Sequence, residues 1–110
     1  MDELSKDADK LICVLYKEYL KRIKKGLTKR DAKMIGGSDY MQKALINKWK
    51  KDDVDDVCRE LDRNGYVQCV YSNGSVDKLI LLDNTIVYME SRFKTGMKKV
   101  LETIQLFKFW

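Results

Sequence analysis

A chain of 110 residues, 45% apolar and 35% charged, can build one hydrophobic core but not two, so it reads as a single soluble globular domain with a heavily charged exterior. It holds no histidine, which excludes His-based hydrolase triads, His-bearing zinc sites and a histidine pH switch; no cofactor and no metal are expected. The formal net charge of +5 makes nucleic acid the first partner class to weigh.

The opening residues Met1-Asp2-Glu3-Leu4-Ser5-Lys6-Asp7 carry acids where a secretory leader carries bases and an apolar run. No window approaches the ~18 apolar residues of a membrane span. A cytoplasmic protein without a membrane partner is expected. From Leu4 to about Lys25, the residues Leu4, Ala8, Leu11, Ile12, Leu15, Tyr19 and Ile23 define one face of a long helix that Gly26 stops. Thr28 with Asp31 resembles a capping box and opens a short helix through Met34, ended by Gly36-Gly37. Ser38 is the expected cap of the next helix, with Met41, Ala44, Leu45 and Trp49 facing inward. Lys50-Lys51-Asp52-Asp53 opens a further helix with Asp52 as N-cap and Val54, Val57, Cys58 and Leu61 as its buried stripe, closed by Gly65. Asn73-Gly74 is the strongest hairpin signal in the chain. The type I′ turn it favours sets Tyr71 opposite Val76, Cys69 opposite Lys78 and Val67 opposite Ile80. Asp83 is the expected cap of a last helix running nearly to the terminus, striped by Ile86, Met89, Phe93, Met97, Val100, Ile104 and Phe107, with Gly96 its one weak interior point. At ~1.5 Å per residue this helix is about 35 Å long, and its overhang requires a partner surface.

A helix, a glycine stop, a tight hairpin and a second helix in that order form the latter half of a winged helix-turn-helix. The expected fold class is therefore mainly α with a small antiparallel β-hairpin: a winged helix-turn-helix with long N- and C-terminal helices. Residues 1–27 are the N-terminal helix, 28–65 the helix-turn-helix core, 66–82 the wing and 83–110 the C-terminal helix. Winged helices serve as DNA readers, protein adaptors and scaffolds, so the architecture alone assigns no job.

The segment Asp52-Asp53-Val54-Asp55-Asp56-Val57-Cys58-Arg59-Glu60-Leu61-Asp62-Arg63-Asn64-Gly65-Tyr66, with Ile86-Val87-Tyr88-Met89-Glu90-Ser91-Arg92-Phe93-Lys94-Thr95-Gly96, resembles a family of small uncharacterised proteins of Gram-positive bacteria and their prophages, related to the YjcQ group. The likeness extends to Tyr16-Lys17-Glu18-Tyr19-Leu20 and Gly37-Ser38-Asp39-Tyr40. It implies a winged helix and no particular reaction. One departure is Leu81-Leu82-Asp83-Asn84-Thr85, where such proteins usually carry a Leu-Thr-Asp-x-Gly turn.

Charge is distributed unevenly. Lys17, Lys21, Arg22, Lys24, Lys25, Lys29, Arg30 and Lys33 form a basic stretch, whereas six acids meet two arginines between Asp52 and Arg63. A recognition helix normally offers its N-terminal end to base edges, and here that end is acidic, so the usual insertion is disfavoured by repulsion and desolvation. Two readings follow. In the first, a small transcription regulator binds DNA through the basic stretch together with Asn73 and Lys78 of the wing. In the second, Asp52, Asp55, Asp56 and Arg59 form the surface of a protein adaptor or phage-type inhibitor. Leu106, Phe109 and Trp110, with Leu101, are candidates for a homodimer seam. The plain alternatives are a solvated basic helix face and acids placed only to suit the helix dipole. The aspartates lack the glycine and terminal glutamate of a calcium loop, and Gly36-Gly37-Ser38 lacks the phosphate-loop pattern. Cys13, Cys58 and Cys69 are widely spaced and odd in number, so they read as small buried hydrophobes. Catalysis is not expected.

Overall fold

The first helix, α1 (Lys6–Lys24), starts at Ser5, whose hydroxyl accepts the Ala8 amide at 3.1 Å. It ends where the Gly26 N–H bonds the Ile23 carbonyl and the Leu27 N–H the Arg22 carbonyl, the paired bonds of a Schellman closure. The computed structural model describes residues 4–94 and 97–106. After α1 come α2 (Lys29–Lys33), α3 (Ser38–Tyr40) leading into a π-helical turn (Met41–Leu45), α4 (Lys51–Arg63), the strands β1 (Val67–Ser72) and β2 (Ser75–Leu81), α5 (Asp83–Arg92) and α6 (Met97–Leu106). The chain is mainly helical with one two-stranded antiparallel hairpin among the described residues. None of the described helices is long and apolar enough to cross a membrane.

Residues Ala8, Leu11, Ile12, Leu15 and Tyr19 of α1 are buried as their spacing requires, and so are Cys13, Val14 and Tyr16. The stripe is wider than one face because α4 and α6 both pack on this helix. The Thr28 hydroxyl caps α2 through the Asp31 amide at 3.2 Å. Ser38, in contrast, is the first residue of α3 and not its cap. Its buried hydroxyl reaches across to the Ser75 hydroxyl at 3.1 Å and donates to the Val76 carbonyl at 3.3 Å. In the π turn, the Ile46 N–H bonds the Met41 carbonyl five residues back at 2.9 Å, and this wider winding turns both side chains into the core. Ala44, expected inside, is therefore exposed, and Ile46 takes the inner place.

Helix α4 buries Val54, Val57, Cys58 and Leu61 as expected. Its cap position is Lys50, however, and Asp52 lies inside the first turn, where it favours the positive end of the helix dipole without making a cap bond. The hairpin turns at Asn73 (φ 53°) and Gly74 (φ 78°), both left-handed as a type I′ turn demands. Tyr71 faces Val76 as expected. Beyond it, Val70 pairs with Lys78, Cys69 with Leu79 and Val67 with Leu81, one residue out from the expected register. The cause is a bulge at Asp77. Unbroken alternation from Val76 would send Lys78 and Ile80 inward, whereas the extra residue lets Val76, Leu79 and Leu81 all reach the core. The segment before α3 lies along the other edge of β2, with a Met34–Ile80 bridge and the Ile35 N–H donating to the Leu79 carbonyl at 2.9 Å.

The single long C-terminal helix is not found. Chain direction changes after α5 at Phe93 (φ −117°, ψ 63°), whose buried ring stacks on Tyr16 at 6.1 Å between centroids. After this break α6 packs on α1 and Val100 is fully buried. The expected overhang is thus absent among the described residues, and Gly96 and Phe107 lie outside them. Arg92 ties α5 to α1 by a two-pronged bond to Asp9 at 2.6 and 3.2 Å. Asp83 opens α5 without capping it. Leu82 holds the cap position, and the Asp83 carboxylate pairs with Lys33.

Candidate functional site

The hairpin and α4 form one braced unit, and the brace uses residues that the sequence offers as surface. Asp55 is only 4% exposed. Its carboxylate accepts the Val76 N–H at 2.9 Å and the Ser75 hydroxyl at 3.0 and 3.2 Å. Burial alone would raise its pKa, but hydrogen bonds from Ser38, the Val76 N–H and Ser75, with the charge of Lys51, hold it below the usual carboxylate value. Asp55 is therefore an internal anchor for β2 and does not belong to a protein-binding face. Nearer the tip, Arg59 pairs with Asp56 at 3.0 Å, donates to the Gly74 carbonyl and lies 5.8 Å from the Tyr71 ring centre. The Tyr71 hydroxyl donates to Asp62 at 2.6 Å, and desolvation together with that carboxylate pushes its pKa up. Arg59, expected to meet a partner, thus straps the hairpin to α4. Asp52, Asp53 and Asp56 remain exposed on α4.

The basic stretch separates into three parts. Arg22, 17% exposed at its side chain, donates to Glu18 at 2.8 Å, to the Met34 and Ile35 carbonyls at 2.6 and 3.2 Å and to the Tyr40 hydroxyl at 3.1 Å. Lys33 is engaged by Asp83. Arg22 is thereby committed to holding the 34–35 segment and Tyr40, while Lys33 is half-buried against the exposed Asp83 carboxylate. The second part is Lys17, Lys21 and Lys24, one turn apart along α1, which edge a groove of about 390 Å³ shared with Leu20 and with Leu101 of α6. The third is Lys25, Lys29 and Arg30 around the α1–α2 turn, all exposed; Arg30 lies 3.8 Å from Asp31 at the surface. Among the described residues, Lys21, Lys24, Lys25 and Lys29 have no acidic partner. Asn73 at the hairpin turn and Lys78 beside the bulge are exposed as expected.

Leu20 was not legible as a site residue, because Leu101, the neighbour that makes its groove, belongs to α6 and reaches it only through tertiary packing on α1. The lysine spacing of four and three was the available signal. Phe109 and Trp110 of the expected dimer seam lie outside the described residues, and Leu106 ends α6. The thiols are free and desolvated: burial pushes Cys13 up to about 12, Cys69 up to about 11 and Cys58 higher still. Such thiols are poor nucleophiles at neutral pH. No group of three or more Cys, Asp or Glu among the described residues is placed to hold a metal ion. Compared with models of protein families, with curated proteins and with solved structures, the chain matches none of them.

Proposed function

We propose that this chain is a non-catalytic winged-helix module, a small cytoplasmic regulator that binds duplex DNA mainly through its phosphate backbone. The order α3, α4 and hairpin, with the 34–35 segment beside β2 where a third strand of a winged helix would run, supports the fold reading. Membership in the YjcQ-like group would imply the same architecture. The observation that carries the functional reading is the exposed cationic corner Lys25, Lys29 and Arg30, whose lysines have no acidic partner among the described residues. Asn73 and Lys78 on a hairpin braced by Asp55 and Arg59 supply the second contact. Because Asp52, Asp53 and Asp56 stay exposed on α4, the N-terminal end of that helix is kept out of the groove and the duplex is held from the corner and the wing.

The test is fluorescence anisotropy with a mixed-sequence duplex over a salt series. Log affinity should fall with log salt at a slope of about −0.9 per neutralised phosphate. Replacing Lys25, Lys29 and Arg30 by Ala should weaken binding and flatten that slope by about two to three contacts. Absence of binding at low salt, or an unchanged slope in the triple variant, would remove the proposal.

A further inference from the structure

The groove between α1 and α6 differs in kind from the cationic corner. Its floor is aliphatic, formed by Leu20 and by Leu101, which stays 42% exposed on a helix whose neighbour Val100 is fully buried. Its edge is a row of ammonium groups, Lys17, Lys21 and Lys24, at spacings of four and three along one ridge of α1. That row spans roughly 10 Å at ~1.5 Å per residue, about two helical turns. A phosphate backbone could neutralise the row but has nothing to cover the leucines. An amphipathic helix does both, seating apolar anchors three or four residues apart and presenting carboxylates along its flank with the same repeat. Lysine stems add to the apolar wall while their heads stay in water, which suits an acidic partner over a neutral one.

We propose that this groove docks an acidic amphipathic helix of a partner protein. Aliphatic anchors cover Leu20 and Leu101, and flanking Glu or Asp side chains pair with Lys17, Lys21 and Lys24. The site shares no residue with the DNA surface assigned to Lys25, Lys29, Arg30, Asn73 and Lys78, so the two can be tested apart.

The probe is an end-capped, fluorescein-labelled peptide of Leu and Glu at helical spacing, compared with an isomer of the same composition in scrambled order. Binding to the full chain is followed by anisotropy, and the footprint by amide chemical shifts in ¹⁵N-labelled protein. The phased peptide should bind at least tenfold more tightly than its isomer and shift the amides of residues 17–24 and 98–105 while leaving the hairpin unmoved. A Lys21→Glu, Lys24→Glu variant should lose at least tenfold in affinity. Leu101→Glu should do the same, and because these side chains are exposed both variants keep the wild-type circular dichroism. The Lys25→Ala, Lys29→Ala, Arg30→Ala variant should retain the peptide. Failure of the phased peptide to bind, equal binding of the isomer, a footprint elsewhere, or unchanged affinity in the charge-reversed variant would each overturn the proposal. Joint loss of peptide and DNA in the corner variant would also overturn it, by revealing a single unspecialised anion surface.

Discussion

Replacing Asp55 by Ala removes the acceptor of a buried backbone N–H, that of Val76, and of the Ser75 hydroxyl. A hydrogen bond to a charged acceptor contributes about 1.5–3 kcal/mol net, and stranding a buried donor costs about 1–3 kcal/mol. Ser75 is half-buried and keeps Ser38 within reach at 3.1 Å, so most of the cost falls on the amide. The expected loss is about 3 kcal/mol for Asp55→Ala. Asp55→Asn keeps an oxygen for the Val76 N–H but loses the charge and turns the atom nearest the Ser75 hydroxyl from acceptor to donor, about 1–2 kcal/mol. In a domain of this size 1 kcal/mol moves Tm by roughly 4 °C, so Ala lowers it by about 12 °C and Asn by about 4–8 °C. Asp56→Ala is the control: an exposed carboxylate paired with Arg59 should cost under about 1 kcal/mol. The pH dependence has a definite sign. Because the folded-state pKa of Asp55 is depressed, its contribution is present in full above the ordinary value of 3.8 and is lost as pH falls through the lower folded value. The stability gap between wild type and Asp55→Asn should therefore be constant near neutrality and close on acidification below about pH 4. Circular-dichroism melts and urea titrations across pH measure both effects. Equal melting of the Asp55→Ala and Asp56→Ala variants, or a gap that persists in acid, would refute the account of Asp55 as the anchor of the hairpin.

Arg22→Ala should cost about 2–3 kcal/mol in urea titrations through lost bonds to Glu18 and the 34–35 carbonyls, against less than about 0.5 kcal/mol for neighbouring Lys21→Ala. Arg22→Lys should recover little, since a point charge cannot replace the fork, and the reverse ranking of Arg22 and Lys21 would contradict the assignment. Gly37→Ala would place a Cβ 2.8 Å from the Asp77 carbonyl oxygen and 2.9 Å from that of Val76, so it should cost about 2 kcal/mol by forcing the bulge away. A melt as high as wild type would show that the bulge yields freely. The raised thiols predict that Cys69, at about 11, reacts with a thiol reagent at pH 8 about a hundredfold more slowly than an unperturbed cysteine, and that Cys13 and Cys58 react only after unfolding. A rapid stoichiometric reaction of the native protein would count against burial.

Features set by a few adjacent residues were legible in the sequence: the glycine closures of α1 and α4, the Thr28 cap and the Asn73-Gly74 turn. Features decided by a distant partner were not. Asp55 is indistinguishable from Asp52, Asp53 and Asp56 until β2 brings Ser75 and Val76 to it, and Ser38 and Asp83 have cap-like neighbours but are claimed by the hairpin and by Lys33. The heptad-like stripe ran unbroken through the helix break at Phe93 because α5 and α6 bury the same kind of face against one core. Phase alone cannot tell one long helix from two shorter ones broken at a residue that itself packs in the core, as Phe93 does against Tyr16. Charge obeys the same rule. Lys21 and Arg22 are equal in any sum over the sequence, yet one is exposed while the other is consumed by carbonyls and Glu18. The formal +5 therefore describes no surface that a ligand meets. The surface itself divides into a cationic corner at the α1–α2 turn, a lysine-edged aliphatic groove between α1 and α6, and an acidic end on α4. Under the proposed function, these fields of opposite sign would orient a duplex before contact, with the acids of α4 turned away from its phosphates.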